Sequence, residues 1–338
     1  MRIKKISIAV LLAAFVLPNV VLANKCLSHE ENISNAKQNY ENCLASAQDG
    51  DTDAQYNLGG LYGEGKGVKK DLKETLRLYQ LSAKAGNLKA QNGLGGLLII
   101  SKLYKEGAKL YKLAAEQGFA DSQHNLGSLY YHGYLGERNY QEAMKWYKLA
   151  AEQGSINSQY MLGLLYSSGY LGERNYQEAM KWYKLASEQG SIDAQIHIGV
   201  FYNNGNGVEA NGREASKWYR LAAEQGNANA QRRLGILYHF GYGIEKNYKK
   251  AKEWYELAAK QGDAFAQSNI GMMYAYGQGV AGDYKKSYTW LTIALINADN
   301  NEKGSMIKRR DKIKALLIPQ EIIEAEKLAE VYVKNHKL

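Results

Sequence analysis

The sequence predicts an all-α protein, an α-solenoid of about seven helix-turn-helix repeats, from three observations. Leu-Gly or Ile-Gly recurs at a fixed offset after a Gln, and that Gln always follows a glycine by five residues. The phrase GERNYQEAMKWYKLA occurs twice, at residues 136–150 and 172–186. Repetition at a period of this length is typical of stacked helical repeats. The glycines recur every 36 residues, with one interval of 32, at Gly50, Gly86, Gly118, Gly154, Gly190, Gly226 and Gly262.

The N-terminus predicts a secretory signal peptide over residues 1–23. The basic stretch MRIKK precedes an apolar run, residues 6–17, and small or apolar residues follow where a signal peptidase cleaves. An uncleaved membrane anchor is the alternative, but it would need about 20 apolar residues. We therefore expect an exported chain, periplasmic or secreted, with no integral membrane segment after cleavage. The net charge is +9, and the positive residues are not concentrated in a patch of the kind that binds nucleic acid.

Residues 24–49 are predicted to form an N-terminal helical cap that carries both cysteines of the chain, Cys26 and Cys43. Export makes a disulfide between them possible. On one continuous helix they would lie about 25 Å apart, so a bridge requires the chain to turn, which we expect near residues 32–35. We predict a disulfide that pins the N-terminal end, with a pair of free thiols as the alternative.

The first helix of each repeat, within residues 50–298, is predicted from the spacing of apolar residues. Ala54, Leu58 and Tyr62 lie on one face of a helix. The glycine inside that helix costs about 1 kcal/mol relative to Ala, so its recurrence indicates that a large group, most simply a neighbouring helix, approaches the backbone there. A glycine-rich break then ends the helix. The second repeat has lost four residues at this break, and we expect a local irregularity near residues 97–104.

The second helix of each repeat begins at an Asp or Asn, such as Asn139, that is a good N-cap. In four repeats a Glu stands three residues later, as a capping box requires. The following glycine is predicted to close the helix in left-handed geometry. A cofactor-binding aromatic box is one interpretation of the tryptophans, and core anchors at equivalent positions are the favoured one. All five tryptophans fall in one column, at Trp146, Trp182, Trp218, Trp254 and Trp290.

Residues 299–338 are predicted to form two C-terminal capping helices. The first covers residues 305–317, and Pro319 begins the next at its first turn. The second covers residues 320–334, and its apolar side is predicted to close the open end of the stack. That side is made of Ile322, Ile323, Leu328, Ala329, Val331 and Val333.

The running pattern Ala-x-x-x-Leu-Gly-x-x-Tyr-x-x-Gly-x-Gly-Val-x-x-Asp-x-x-x-Ala-x-x-Trp-Tyr-x-x-Ala-Ala-x-x-Gly resembles the Sel1-like repeat, a relative of the tetratricopeptide repeat. The resemblance covers about residues 50–298 and implies a right-handed superhelix that binds other proteins. Members of the family act as adaptors, and exported bacterial members are implicated in host interaction or envelope signalling. The cysteines do not repeat, so the chain does not resemble the disulfide-rich exported members, for which a penicillin-related activity has been suggested.

Packing must repeat along such a stack, whereas a binding surface need not, and this contrast predicts where a partner binds. In a stack of hairpins the first helices line the concave face, and the side opposite their Leu-Gly-Tyr positions differs from repeat to repeat. A mixture of aromatic, aliphatic and Arg side chains is what an interface favours. A solvated surface without constraint is the alternative. We name this set the contact stripe: Tyr56, Asn92, His124, Ser128, Tyr131, Tyr160, Leu164, Ile196, Val200, Arg232, Ile236, His239, Ser268, Met272 and Tyr276.

The favoured function is therefore an exported, non-catalytic scaffold that takes an extended or helical peptide of a protein partner, without a metal or cofactor. The histidines show no ligand spacing typical of metal sites. The stretch GLYGEGKG at residues 60–67 lacks the Ser or Thr and the preceding strand of a phosphate-binding loop. The alternative is an envelope enzyme or glycan-binding module that acts on peptidoglycan or β-lactams.

Overall fold

The computed structural model describes residues 26–27 and 35–336. These residues contain 17 α-helices and no strand, which confirms the all-α fold of helix-turn-helix repeats. The predicted signal peptide, and most of the turn predicted near residues 32–35, lie outside them.

The chain divides into two compact units, Met1–Ser101 and Lys102–Leu338. The helices are α1 Ala36–Gln48, α2 Thr52–Glu64, α3 Leu72–Lys84, α4 Leu88–Ile100, α5 Tyr104–Glu116, α6 Ala120–His132, α7 Tyr140–Glu152, α8 Ile156–Ser168, α9 Tyr176–Glu188, α10 Ile192–Asn204, α11 Gly212–Glu224, α12 Ala228–Phe240, α13 Tyr248–Lys260, α14 Ala264–Tyr276, α15 Tyr284–Asn297, α16 Lys303–Lys314 and α17 Pro319–Asn335.

In the first unit, a disulfide joins Cys26 and Cys43 as predicted, with the Cα atoms 4.5 Å apart. The N–H of Leu27 donates to Oδ1 of Asn39 at 2.8 Å, and Nδ2 of Asn39 donates back to the carbonyl of Leu27 at 3.3 Å. Cys43 is fully buried in a cluster with Leu58 of α2. The bridge and the two hydrogen bonds therefore attach the segment before α1 to the core of the first repeat.

We call the even-numbered helices α2 to α14 the A helices and the odd-numbered helices α3 to α15 the B helices. In six of the seven repeats, all but the second, the A helix packs on the B helix that follows it. In five of these a tyrosine ring of the B helix fills the space left by the A-helix glycine, and in the last repeat Leu291 takes that place. A Cβ at Gly163 would lie 2.5 Å from two ring carbons of Tyr183, and one at Gly199 would lie 2.5 Å from Tyr219. The predicted close approach is thus made by a tyrosine ring rather than by a helix backbone.

That tyrosine, and not the tryptophan before it, is the deepest aromatic of the repeat. The tyrosines that follow the tryptophans are almost inaccessible to water at Tyr147, Tyr183, Tyr219 and Tyr255. Trp146 is buried, whereas the other four tryptophans are partly buried and border the core clusters. The interpretation of the tryptophans as core anchors is therefore only partly right. The tyrosine that follows each tryptophan from Trp146 to Trp254 is the residue buried most deeply in the core.

In four repeats the recurring Gln of the A helix connects the B helix before it to the end of the B helix after it. In α8, Nε2 of Gln159 donates to the carbonyl of Ala151 at 3.2 Å, and its Oε1 accepts from Nε2 of Gln189 at 2.8 Å. Equivalent bonds to the carbonyls are made by Gln123, Gln231 and Gln267. Each Gln is buried, and in these four repeats the arrangement satisfies both ends of the side-chain amide. Oε1 of Gln55 and Oε1 of Gln91, both in the first unit, accept no hydrogen bond from the described residues.

The helix ends follow the predicted pattern, with one difference. The Asp or Asn before each B helix from α7 to α15 accepts a hydrogen bond from a backbone N–H of the first turn, as Asn175 does from Glu178 at 3.0 Å. The Glu of the predicted capping box instead pairs with a cation three residues later, as Glu214 does with Lys217 at 2.6 Å. The glycines that close the B helices have φ between 85° and 95°.

The four-residue loss in the second repeat falls in the connection between its two helices. Only residues 101–103 separate α4 from α5, and Lys102 has φ 61°, the one positive φ outside glycine among the described residues. The division between the two units falls within the segment where the irregularity was predicted.

The C-terminal helix α17 packs on α15 through a narrower face than predicted. Ala325, Ala329 and Val333, spaced by four residues, are buried against α15. Oε1 of Glu326 accepts from the hydroxyl of Tyr288 at 2.8 Å; burial and this bond raise the pKa of Tyr288 to about 12.

Three residues assigned to the packed side of α17 are exposed, so that part of the prediction is wrong. Ile323, Leu328 and Val331 lie at offsets that rotate them away from the row of buried side chains. Some apolar side chains of α17 therefore pack in the core, and others face the solvent.

Candidate protein-binding surface

The contact stripe lies on the A helices, and its first position in a repeat connects neighbouring A helices of the second unit. Nδ1 of His124 on α6 lies 2.9 Å from Oγ of Ser158 on α8. The hydroxyl of Tyr160 on α8 lies 3.4 Å from Nε2 of His197 on α10. Burial lowers the pKa of His124 and of His197. These side chains therefore contribute to the packing of successive repeats as well as to the surface.

Arg232 is also held by its neighbours. Its Nε donates to Oδ2 of Asp263, the N-cap of α14, at 3.0 Å, and its guanidinium lies 5.3 Å from the centre of the Phe265 ring. The ion pair is partly buried on both sides. A partner that used Arg232 would have to replace this ion pair, so Arg232 is a weaker contact residue than its type suggests.

Three members of the stripe are buried, and their placement on an accessible surface is corrected. Ile196 is 8% exposed, His239 is 7% exposed and Ser268 is inaccessible. Ile196 belongs to the core cluster around Tyr219, and Oγ of Ser268 accepts from Nη1 of Arg309 on α16 at 3.0 Å. Burial lowers the pKa of His239, and the positive charge of Lys246 lowers it further. The spacing of residues along one helix does not indicate that a neighbouring element covers these side chains.

The accessible part of the stripe is a row one turn further along the A helices. Leu164, Val200 and Ile236 occupy the same position of α8, α10 and α12 and are partly buried. Ser128 precedes them on α6. Met272 follows on α14, where it packs beside the C-terminal helices. The row therefore presents three aliphatic side chains of different shape in consecutive repeats.

The remaining members lie at a third turn or in the first unit. Tyr131 is partly buried among other rings, whereas Tyr276 is 69% exposed. Within the first unit, Tyr56 stacks on Tyr79 with ring centres 5.1 Å apart, and Asn92 is partly buried. These residues belong to different local environments rather than to one continuous row.

Pairs of stacked tyrosines at the loops were not predicted from the sequence. Tyr140, the first residue of α7, stacks on Tyr170 of the next repeat with ring centres 4.4 Å apart and planes within 6°. Tyr104 stacks on Tyr134 in the same way at 4.9 Å. About half of Tyr134 and of Tyr170 remains exposed. The signal in the sequence is a Tyr at the start of the B helix and a Gly-Tyr in the following loop.

The titratable groups of the described residues form no cluster of three or more His, Cys, Asp or Glu that could hold a metal ion. Within the same residues, no helix is both long and apolar enough to cross a membrane. The expectation that no metal or cofactor is used stays a prediction.

Seven consecutive segments of the chain match the family model described as the Sel1 repeat, and together they cover well over half of it. The chain belongs to the Sel1 repeat family. Each matched segment corresponds, to within two residues, to one A helix and the B helix that follows it in the sequence. The segments are residues 52–87, 90–119, 120–155, 156–191, 192–227, 228–263 and 264–296.

Among the solved structures similar to this Sel1 repeat chain are two bacterial proteins of the same architecture. A Sel1 repeat protein from Oxalobacter formigenes has 29% identity and a TM-score of 0.65, over 80% of this chain and 80% of that chain. A protective antigen present in uropathogenic Escherichia coli strains, which displays an SLR fold, has 26% identity and a TM-score of 0.55, over 89% of this chain and 72% of that chain. No curated protein matches in sequence. The chain therefore has a helical repeat scaffold of the kind that typically mediates protein–protein interaction.

Proposed function

We propose that this Sel1 repeat chain is a non-catalytic scaffold that binds an extended or helical peptide of a protein partner through the accessible part of the contact stripe. The proposal is carried by the row Leu164, Val200 and Ile236, which is partly exposed and differs in shape from repeat to repeat. The Leu-Gly or Ile-Gly positions that pack the repeats vary little. Val200 and Ile236 also pack against the core cluster around Tyr219 and Tyr255, so only part of each side chain faces outward. Partly exposed apolar side chains of this kind fit the apolar core of an interface.

The experiment compares two variants as baits for partner capture from envelope and host extracts. The first replaces Leu164, Val200 and Ile236 by Ala. The matched control replaces the exposed B-helix residues Leu149 and Leu185, together with Leu221, by Ala. We expect the first variant to lose a captured protein that the control retains. If both variants capture the same set as the wild type, the stripe is not the binding site.

We further propose that the chain is exported, periplasmic or secreted, and acts in host interaction or envelope signalling. The sequence of residues 1–23 and the disulfide between Cys26 and Cys43 support export, because disulfides persist in oxidising compartments. The similar SLR protein of uropathogenic strains is described as a protective antigen. Fractionation of cells that express a C-terminally tagged chain tests this. An uncleaved chain in the reducing cytoplasm would contradict it.

A second candidate, a glycan-binding module for peptidoglycan, is favoured by the stacked tyrosine pairs. Aromatic faces that stay exposed at the loops, as in Tyr134 and Tyr170, can stack on the apolar faces of sugar rings. Sedimentation with purified peptidoglycan tests this candidate. Binding that is lost with Tyr134→Ala and Tyr170→Ala supports it, and turnover of cell-wall fragments or nitrocefin would favour an enzyme instead.

A further inference from the structure

The first C-terminal helix, α16, has two sides of different character. Met306 and Ile313 are its buried residues. Lys308, Lys312 and Leu316 follow one another at a spacing of four residues and are exposed. The helical turn continues past the end of α16, since the N–H of Leu316 donates to the carbonyl of Ile313 at 3.0 Å. The three exposed side chains therefore form one continuous row.

The exposed side of α16 carries positive charge that neighbouring residues do not neutralise. The helix has six cationic side chains and one carboxylate in its 12 residues. That carboxylate, Asp311, is paired with Arg310 at 2.9 Å. No ion pair among the described residues involves Lys308, Lys312 or Lys314. At least three cations thus remain available to an anionic surface.

Three aliphatic side chains are exposed directly after these lysines. Leu316 is 56% exposed and Ile318 is 62% exposed in the turn between α16 and α17, and Ile323 is 61% exposed near the start of α17. Charged and apolar groups therefore occur together within a short stretch of chain. We name this set the C-terminal corner: Lys308, Lys312, Lys314, Leu316, Ile318 and Ile323.

Two carboxylates of α17 that lie close to the corner in sequence, Glu321 and Glu324, already have partners in the fold. Oε2 of Glu321 accepts a hydrogen bond from the N–H of Ile318 at 3.1 Å, so this carboxylate caps α17. Glu324 pairs with Lys285 of α15. Both acidic groups have partners within the fold, and the second is neutralised by a lysine from outside the corner.

The composition of the corner fits a lipid surface better than a protein surface. Protein interfaces are enriched in Trp, Tyr and Arg and depleted in Lys, whereas the corner has three lysines and no aromatic residue. Lysines beside aliphatic side chains are typical of segments that lie in the interface of a bilayer, because the cations attract anionic headgroups while the aliphatic groups enter the headgroup region.

We propose that the C-terminal corner docks on the surface of a bilayer that contains anionic lipids. Leu316, Ile318 and Ile323 enter the headgroup region, and the three lysines face the lipid phosphates. The association is peripheral, because only the side chains of the corner enter the headgroup region. This docking does not rest on the contact stripe or on binding of a protein partner.

The test is co-sedimentation of the purified chain with vesicles of phosphatidylcholine alone and with phosphatidylcholine that contains phosphatidylglycerol. We expect binding to the mixed vesicles, weakened when salt rises from about 0.1 M to about 0.5 M. Lys312→Gln with Lys314→Gln should weaken binding about thirty-fold, from the usual attraction of two lysines to an anionic surface. Leu316→Ser with Ile318→Ser should remove the part that survives high salt.

The matched control is Lys148→Gln with Lys184→Gln, which removes two exposed lysines from the B helices α7 and α9. This variant should bind the mixed vesicles as the wild type does. All the substituted side chains are exposed, so circular dichroism should show unchanged folding.

Three results would overturn the proposal. The first is that the chain does not sediment with the mixed vesicles. The second is an equal loss in the control and corner lysine variants, which would assign binding to overall charge. The third is a concentration-dependent dimer that Leu316→Ser with Ile318→Ser abolishes while vesicle binding is unchanged, which would assign the aliphatic groups to a second copy of the chain.

Discussion

The substitution Gly163→Ala tests how the repeats pack. A Cβ at Gly163 would lie 2.5 Å from Cδ1 and Cε1 of Tyr183, about 1 Å inside ordinary van der Waals contact. Tyr183 is fully buried, and the rings of His197 and Phe201 lie 5.0 Å and 5.6 Å from its own, so it has little room to move. Overpacking of this kind costs up to about 3 kcal/mol, and the better helix propensity of Ala returns about 1 kcal/mol. We expect the free energy of unfolding to fall by about 2 kcal/mol.

The assay is urea unfolding followed by circular dichroism, with native-state hydrogen exchange to locate the loss. Because each repeat of a solenoid contacts only its neighbours, protection should fall most in residues 156–191 and the adjoining helices. The matched control is Gly304→Ala in α16, where nothing lies within 4 Å of the added Cβ. It should leave stability unchanged or slightly higher. If Gly163→Ala unfolds at the urea concentration of the wild type, the tyrosine contact is not what requires glycine there.

Three further predictions concern caps, the disulfide and pH. Asn175→Ala removes the acceptor for the first turn of α9 and should lower the free energy of unfolding by about 1 kcal/mol in the same urea assay; an unchanged value would contradict the role of this cap. Cys26→Ala with Cys43→Ala opens a loop between residues 17 apart and should destabilise the first unit by about 3 kcal/mol, measured by hydrogen exchange, while reductant should reproduce the effect in the wild type only. Burial lowers the pKa of His197 in the folded chain, so its neutral form is preferred and stability present above pH about 6.5 declines as the pH falls below that value. His197→Phe, which keeps a ring against Tyr183, should flatten the dependence of unfolding on pH, and an unchanged slope would mean that other groups titrate.

The sequence predicted most of the helix ends well because those features are local. Asn139 and Asn175 cap the helices that they precede, and the glycines that close the B helices have the left-handed φ expected of them. Each of these requirements involves a few consecutive residues, so the residue type alone reports it.

Features that depend on an adjoining element were less visible in the sequence. Trp182 and Tyr183 are neighbours of similar character, and only the position of the A-helix glycine decides that the tyrosine is the deeper one. The column of Gln residues was apparent, but the partner of Gln159 lies thirty residues further on at Gln189. Ser268 was assigned to an open surface because nothing in the repeat pattern indicates that α16 covers it.

The two nearly identical segments, residues 133–156 and 169–192, differ only in Ala151 against Ser187. Ser187 is buried and its hydroxyl bonds the carbonyl of Lys184 in its own helix at 2.8 Å, so the difference is absorbed without involving a neighbour. The two copies therefore offer the same residues to their neighbours, although Trp146 and Met180 are buried where their counterparts Trp182 and Met144 are only partly so. Recombination between the matching coding stretches would remove or add one 36-residue block and leave the repeat phase intact. Selection can thus change the number of modules in whole steps, with adjustment confined to the few side chains that differ between the adjoining A helices.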